Sequence, residues 1–360
     1  MEYSDFIKSK SLKINPCGIE TDTLPDCLFD YQKAVVKWAL KKGRCAIFAG
    51  TGLGKTLMEL SWANIIHSQT GKRVLVLAPL AVAQQIDNEA IKFGLHGKYY
   101  RHDDGNSPVT ITNYEKIHKF DLSHFDAVVL DESSILKSFN GKTRDALINS
   151  FKHYSYRLAA TATSAPNDFM ELGNHAEFLG VMSYAEMLAM FFVHDRGETQ
   201  KWRLKGHAKK DFWGWMAQWS IMFQSPYDLG FDGSKHVLPP LNQHSIVVNS
   251  NIERKNEDRL FRFEAQTLQE RITERRNSIP ERCSEVSRLV NESTDKWVLW
   301  CNMNAEGNAL EKLIPDAVQI SGSQSEDKKE SILADFASGK IRVLISKPSL
   351  TGFGLNWQHV

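Results

Sequence analysis

The stretch AIFAGTGLGKTLMELSWA, residues 46–63, sets three glycines, a lysine and a threonine between an apolar run and a pattern of helical period. Glycines at Gly50, Gly52 and Gly54 permit backbone turns that a side chain forbids. The N–H groups of the loop, Thr51 among them, can then converge on an anion-sized cup. The N-terminus of the following helix adds unpaired donors and a favourable dipole. Lys55 supplies a point charge, and the Thr56 hydroxyl is placed to ligate a magnesium ion carried by phosphates. The P-loop formula opens with glycine five places before its last glycine, and Ala49 stands there. Alanine is still small, and the strand before the loop and the helix after it are in register. A nucleoside triphosphate, ATP with Mg2+, is the expected occupant.

A chain of 360 residues has room for two domains of ordinary size. No apolar run reaches membrane-spanning length, and the opening MEYSDFIKSKSLKI lacks the apolar core of a secretion signal. The five cysteines are scattered and form no C-x-x-C pair, which points to free thiols in a reducing, cytoplasmic setting and away from a structural zinc site. A net charge of +1 means that any surface for nucleic acid must be local.

Residues 30–165 alternate β-rich runs with helical patterns. The strands expected are CAIFA (45–49), VLVLAP (74–79), VTIT (109–112), AVVLDE (127–132) and YRLAATAT (156–163). That rhythm predicts a mostly parallel sheet with helices on both faces, whose ligands gather at the carboxyl ends of the strands. From 176 to about 290 the pattern reads as helical, rich first in tryptophan and then in charge. A βαβ rhythm returns with WVLWCN (297–302), VQISG (318–322) and IRVLISK (341–347).

Apolar AVVL runs into Asp131-Glu132-Ser133-Ser134, the layout of a Walker B strand. Asp131 at the strand's end would hold the magnesium through water, and Glu132 is placed to polarise an attacking water. The chain now resembles the superfamily-two helicases and translocases, and within them the Swi/Snf-like branch. FDYQKAVVKWAL looks like the glutamine motif, which implies that Gln32 reads an adenine edge. GTGLGKT is similar to motif I, VLAPLAVAQQ to motif Ia and ITNYEKI to motif Ib. The last two imply nucleic-acid contacts at Pro79, Thr112 and Asn113. LDESSILKSFNGKTRDAL resembles motif II, with Ser134 where many relatives carry His or Asp. AATATSAPNDFMEL is like motif III, and implies that Thr161 and Thr163 couple nucleotide state to nucleic-acid contact. SKPSLTGFGLN looks like motif V, which implies contacts at Thr351 and Gly352. The DESSILK wording and KWRLKGHAKKDFWGW are similar to phage-encoded relatives.

The resemblance covers about residues 28–175 and 295–360. It implies two RecA-like parallel-sheet domains of the α/β class, the second incomplete, with a helical insertion between them. The boundaries expected are an N-terminal extension over 1–27, the ATP-binding domain over 28–175, the insertion over 176–290 and the second domain over 291–360. Members of the family finish with a motif VI whose arginines reach the triphosphate. None is present by Val360, so a further segment is expected to carry it, and full turnover by residues 1–360 alone is in question.

Four of the nine tryptophans lie between 202 and 219, among Arg196, Lys201, Arg203, Lys205, Lys209 and Lys210. Basic residues interleaved with aromatics suit a nucleic-acid backbone groove with stacking platforms. However, Phe212, Trp215, Met216 and Trp219 recur at i, i+3, i+4 and i+7, the stripe of a buried helix face. Lys205, Lys209, Lys210 and Trp213 fall outside that stripe and are the better candidates for nucleic acid. The mixed charge of 252–288 reads as a solvated linking helix. His194, His207 and His236 lack ligand spacing and read as surface residues. The expectation is an ATP-dependent helicase or translocase tracking DNA in preference to RNA. The alternatives are an ATP-controlled nucleic-acid clamp with little turnover and a P-loop ATPase acting on protein. Motifs Ib and V speak against the last.

Overall fold

The computed structural model describes residues 14–103, 106–137, 141–195, 198–248, 267–352, 354, 355 and 357. The chain divides into two compact units, residues 1–238 and 239–360.

The first unit is built on a seven-stranded sheet, parallel at every pairing. Its strands are β1 (Arg44–Ala49), β2 (Val74–Ala78), β3 (Lys98–Tyr99), β4 (Val109–Asn113), β5 (Ala127–Leu130), β6 (Tyr156–Thr161) and β9 (Ser220–Phe223), in the spatial order β3-β4-β2-β5-β6-β1-β9. Runs such as VLVLA and AVVL are buried at every position, as a parallel sheet covered on both faces requires. Helices α1 (Asp30–Lys42), α2 (Lys55–Thr70), α3 (Leu80–Phe93), α4 (Lys142–Phe151), α5 (Leu172–Leu179), α6 (Tyr184–Phe191) and α7 (Lys209–Trp219) complete the layers. The five strands read from the sequence are all present, most of them a residue or two shorter. Asp131, Glu132 and Thr163, expected at strand ends, lie just beyond β5 and β6.

The stretch 176–290 is more than the helical insertion expected of it. Between α6 and α7 runs an antiparallel hairpin of β7 (Phe192–Asp195) and β8 (Glu198–Leu204). After α7 the short apolar run SIMF forms β9 and extends the first sheet, pairing Ala46 with Ser220 and Ala49 with Phe223. The four-residue strand follows an aromatic helix directly, so helical periodicity conceals it. Residues 249–266, which include most of the first half of the charged run, lie outside the described residues.

Within α7, Phe212, Trp215, Met216 and Trp219 are all buried in the main apolar core with Phe48, Leu130, Ala176 and Phe191. The stripe of helical period is a core face at all four positions. Preceding the first helix, the backbone N–H groups of Cys17, Gly18 and Ile19 donate to the carbonyls of Lys42, Lys41 and Leu40. The segment before residue 28 thereby satisfies carbonyls at the C-terminal end of α1 that the helix leaves open.

The second unit holds a three-stranded parallel sheet, β10 (Trp297–Trp300), β11 (Ala317–Gln319) and β12 (Val343–Ser346), ordered β10-β12-β11. Leu299, Val343 and Ile345 from this sheet share a core with Cys283, Val290 and Leu310 from its helices. The fold is thus of the expected α/β class, with two parallel sheets of which the second is the smaller. All five cysteines are free. Among the described residues no helix is long and apolar enough to cross a membrane.

Burial separates the tryptophans of α7. Trp219 is fully buried, whereas Trp213 is half-buried, edge-on to Phe169 and Phe212 at 5.2 Å. Trp219→Ala should therefore cost about 3–5 kcal/mol of stability by urea unfolding, and Trp213→Ala clearly less. Equal losses would contradict this assignment of the core.

Candidate active site

The carboxyl ends of β1, β5 and β6 open on one edge of the first sheet. In the loop after β1, Gly52 and Gly54 adopt left-handed φ of 80° and 69°, which explains glycine at both places. A Cβ at Gly54 would also sit 2.4 Å from Gln32 Nε2. Gly50 donates its N–H to Phe223 O at 2.9 Å, so β9 forms one side of the loop, and a Cβ at Gly50 would lie 3.0 Å from Gln224 O. Lys55 Nζ donates to the Ala49 and Gly50 carbonyls at 3.2 and 3.3 Å. Thr51 and Gly52 are exposed, and α2 begins at Lys55 with Thr56 half-buried beside it. The loop therefore faces solvent at the N-terminus of a sixteen-residue helix, the arrangement that binds phosphate.

Gln32 does not present its amide as the resemblance implies. It is 2% exposed; its Oε1 accepts from Phe29 N at 3.0 Å and its Nε2 donates to Leu53 O at 3.1 Å. The amide braces α1 against the phosphate loop. Tyr31 does the same through its hydroxyl, 2.9 Å from Leu53 O, and sits 3.1 Å from His236 Nε2. His236 is thus not a free surface residue: its ring packs edge-on against both Phe29 and Tyr31 at 5.2 Å.

Asp131 is buried, and its backbone is pinned on both sides, its N–H donating to Leu77 O (2.9 Å) and its carbonyl accepting from the Tyr114 hydroxyl (2.7 Å). Glu132 follows with φ 50°, a left-handed conformation that is unusual for a residue with a side chain. Its Oε2 accepts from Thr161 Oγ1 at 3.1 Å, and Thr161 Oγ1 accepts from Thr163 N at 3.0 Å. The two threonines named from the sequence are joined to each other, and Thr161 to the acid. Ser133, fully buried, lies with Oγ 3.1 Å from His175 Nε2.

One acidic residue in this neighbourhood carries no sequence signature. Glu59 lies one turn after Lys55 on α2, 1% exposed, and both of its carboxylate oxygens lack hydrogen-bond partners among the described residues. Burial, then the charge of Asp131, pushes its pKa well above the ordinary value. Burial, then the charge of Glu132, likewise raises Asp131, with Lys55 opposing. Such an excess of buried negative charge is what a dication offsets. The residues fit a magnesium ion, which Thr56, Asp131 and bound phosphates would hold. Among the described residues no group of three or more His, Cys, Asp or Glu is arranged to hold a metal without such phosphates.

The family comparison falls on this same part of the chain. Residues 29–172 match the family of DEAD/DEAH box helicases. A phage protein, p41 of Acyrthosiphon pisum secondary endosymbiont phage 1, is 29% identical over 176 residues, covering 41% of this chain and 38% of its own length. The alignment thus spans well under half of that relative. Among solved structures, the Sulfolobus solfataricus SWI2/SNF2 ATPase core in complex with dsDNA is 16% identical, with 95% of this chain and 82% of that chain covered and a TM-score of 0.48. The UvsW helicase of bacteriophage T4 is 17% identical over 51% of this chain and 66% of that chain, with a TM-score of 0.37.

In the first unit the residues expected to touch nucleic acid separate by burial. Pro79 is half-buried and directly precedes α3. Thr112 and Asn113 are fully buried and engaged: Thr112 Oγ1 donates to Tyr100 O (2.9 Å), and Asn113 Oδ1 accepts from Lys116 N (3.0 Å). As placed they shape the end of β4 and leave no side-chain group for a phosphate. Downstream, Lys205 Nζ donates to the Ala189 and Met190 carbonyls (2.8 and 3.0 Å), satisfying the C-terminal end of α6. Lys209 and Lys210 are exposed in the first turn of α7. Arg196 and the Lys201 side chain lie outside what is described. In the second unit Thr351 is buried in a short helix, Pro348–Thr351, that Gly352 ends. Arg342 donates to Asp316 and to the carbonyls of Val290, Ser293 and Asp295.

Raised pKa values at Glu59 and Asp131 fix a sign. The folded state holds protons that the unfolded chain has released, so this contribution is complete below the ordinary carboxylate range. It is lost as pH rises through the elevated folded values. Without magnesium, thermal stability should therefore fall between pH 5 and pH 8. Glu59→Gln should flatten that slope and add roughly 1–3 kcal/mol at the alkaline end. An unchanged slope in denaturation scans of this variant would contradict the burial assigned to Glu59.

Proposed function

We propose that the chain is an ATP-dependent nucleic-acid translocase that tracks DNA. The observation that carries this reading is the contact of Glu132 with Thr161 beside the phosphate loop, because it joins the water-polarising acid to a threonine of motif III. In a reaction where positioning and charge stabilisation do most of the work, a carboxylate held in one orientation is what an attacking water requires. On this reading the loop from Gly50 to Gly54 and the N-terminus of α2 cradle the phosphates. Lys55 leaves the Ala49 and Gly50 carbonyls for the β- and γ-phosphates, while Glu132 accepts the proton of the attacking water. Thr56 and Asp131 would hold a magnesium ion together with the phosphates, and that ion would supply charge neutralisation. Thr161, bonded to both Glu132 and Thr163, relays the state of the site towards the surface.

The preference for DNA draws on the Swi/Snf-like wording of motifs I and V and on Lys209 and Lys210. Two exposed cations in the first turn of a helix oppose its dipole, and a polyanion offsets that cost. Lys205 is removed from the proposed contact set because its ammonium group is already engaged.

Two experiments test the reading. Lys55→Ala should weaken binding of a fluorescent ATP analogue, whereas Glu132→Gln should retain binding and lose about 100-fold or more in turnover. Equal loss of binding in both would refute the division of roles, and binding without any wild-type turnover would favour a clamp. In titrations across salt concentration, Lys209→Ala with Lys210→Ala should lower the salt slope of duplex binding by about one unit for each phosphate that is no longer neutralised. Lys205→Ala should leave the slope unchanged. A slope insensitive to the double variant would return the first turn of α7 to plain solvated surface.

A further inference from the structure

We propose that His175 is a positioning residue for Glu132, acting through the Ser133 hydroxyl to hold the turn that follows β5. This rests on the reading of Glu132 as the water-activating acid. The two residues lie 42 positions apart in the chain, one on an α-helix and the other at the start of a short 3-10 helix. His175 is fully buried on α5, its ring edge-on to Phe48 of β1 at 5.2 Å. Ser133 is fully buried as well, and its Oγ stands 3.1 Å from Nε2.

The contact lies at the place where the backbone needs holding. Glu132 occupies a left-handed conformation that persists only where its surroundings enforce it. On its N-terminal side Asp131 is fixed by Leu77 and Tyr114. On its C-terminal side the Glu132 carbonyl accepts from Ile135 N at 3.2 Å, and Ser133 opens a short 3-10 helix whose first side chain is tied to His175. Losing the hydroxyl contact would leave that helix start held by its backbone alone and loosen the Glu132 side chain on Thr161. The imidazole suits the task because burial drives its pKa down to about 4, so it stays neutral and offers one nitrogen to donate and one to accept. The sequence carries no sign of the pair, since no spacing rule links Ser133 to His175.

The test uses Ser133→Ala, His175→Phe, His175→Gln and the double variant Ser133→Ala/His175→Phe in the full chain. Single-turnover ATP hydrolysis should fall roughly 10- to 100-fold in Ser133→Ala and in His175→Phe, the size of effect expected from a reacting group displaced by about an ångström. KM for ATP and binding of the fluorescent analogue should stay within about twofold, which also shows that the variants fold. The double variant should be no slower than the slower single one, and His175→Gln, whose amide can donate or accept, should recover part of the rate. Nitrogen NMR of labelled histidine should show a neutral His175 ring whose Nε2 signal moves in Ser133→Ala. Losses that multiply in the double variant, parallel changes in KM, or an unmoved Nε2 signal would overturn the proposal while leaving the ATPase reading in place. A wild-type chain without turnover would instead overturn the ATPase reading, and with it the role assigned to the contact, though the NMR measurement would still report whether the contact exists.

Discussion

A left-handed glutamate is the constraint around which the carboxyl edge of the first sheet is arranged. For a residue with a side chain the conformation at Glu132 is held against its own preference, at a cost of order 1–3 kcal/mol. The surrounding hydrogen bonds converge on this turn from separate elements. Leu77 comes from β2, Tyr114 from the turn after β4, Thr161 from β6 and His175 from α5. The parallel sheet brings these donors and acceptors together because it aligns its carboxyl ends, and the apolar runs fix which residues emerge at that edge. The buried core beneath is therefore a precondition of the geometry above it.

Beside this turn lies the opposite kind of stress, one of charge. Asp131 and Glu59 are both buried and both held above their ordinary pKa, and it is Lys55 that favours the charged form of Glu59 against its acidic neighbours. A helix interior position one turn after Lys55 is an unusual place for a carboxylate without hydrogen-bond partners among the described residues. A dication and phosphates bound there would offset that charge, and their binding would then stabilise the fold.

What the sequence discloses about this molecule is what is local along it. The phosphate loop, its strand and its helix occupy one continuous stretch, so glycine placement and period suffice to read them. Asp131 and Glu132 follow an apolar run directly and are legible for the same reason. Thr112 and Asn113 read as contacts yet turn into the protein, because residue type does not reveal which way a strand end faces. Charge groups Lys205 with Lys209 and Lys210, although the first reaches helix carbonyls and the other two reach solvent. Gln32 reads as a ligand to adenine and in the structure braces the loop. β9 escapes sequence reading because four residues, three of them apolar, continue an aromatic helix without a break. The contacts of Ser133 and His236 escape it because their partners are distant along the chain.

That late strand also bears on how the molecule is made. Gly50 sits near the start of the first unit, and the carbonyl that anchors it belongs to Phe223, near that unit's end. During synthesis the outer edge of β1, away from β6, must wait for most of the unit to emerge before its partner arrives. Parallel pairing across such a separation is slow because the loop must close before any contact rewards it. Until then β1 presents an apolar strand with unpaired backbone groups, the feature most prone to join another chain. A fragment cut at the boundary of the helicase-family match, residue 172, would carry the whole phosphate-loop motif and yet keep that edge permanently bare.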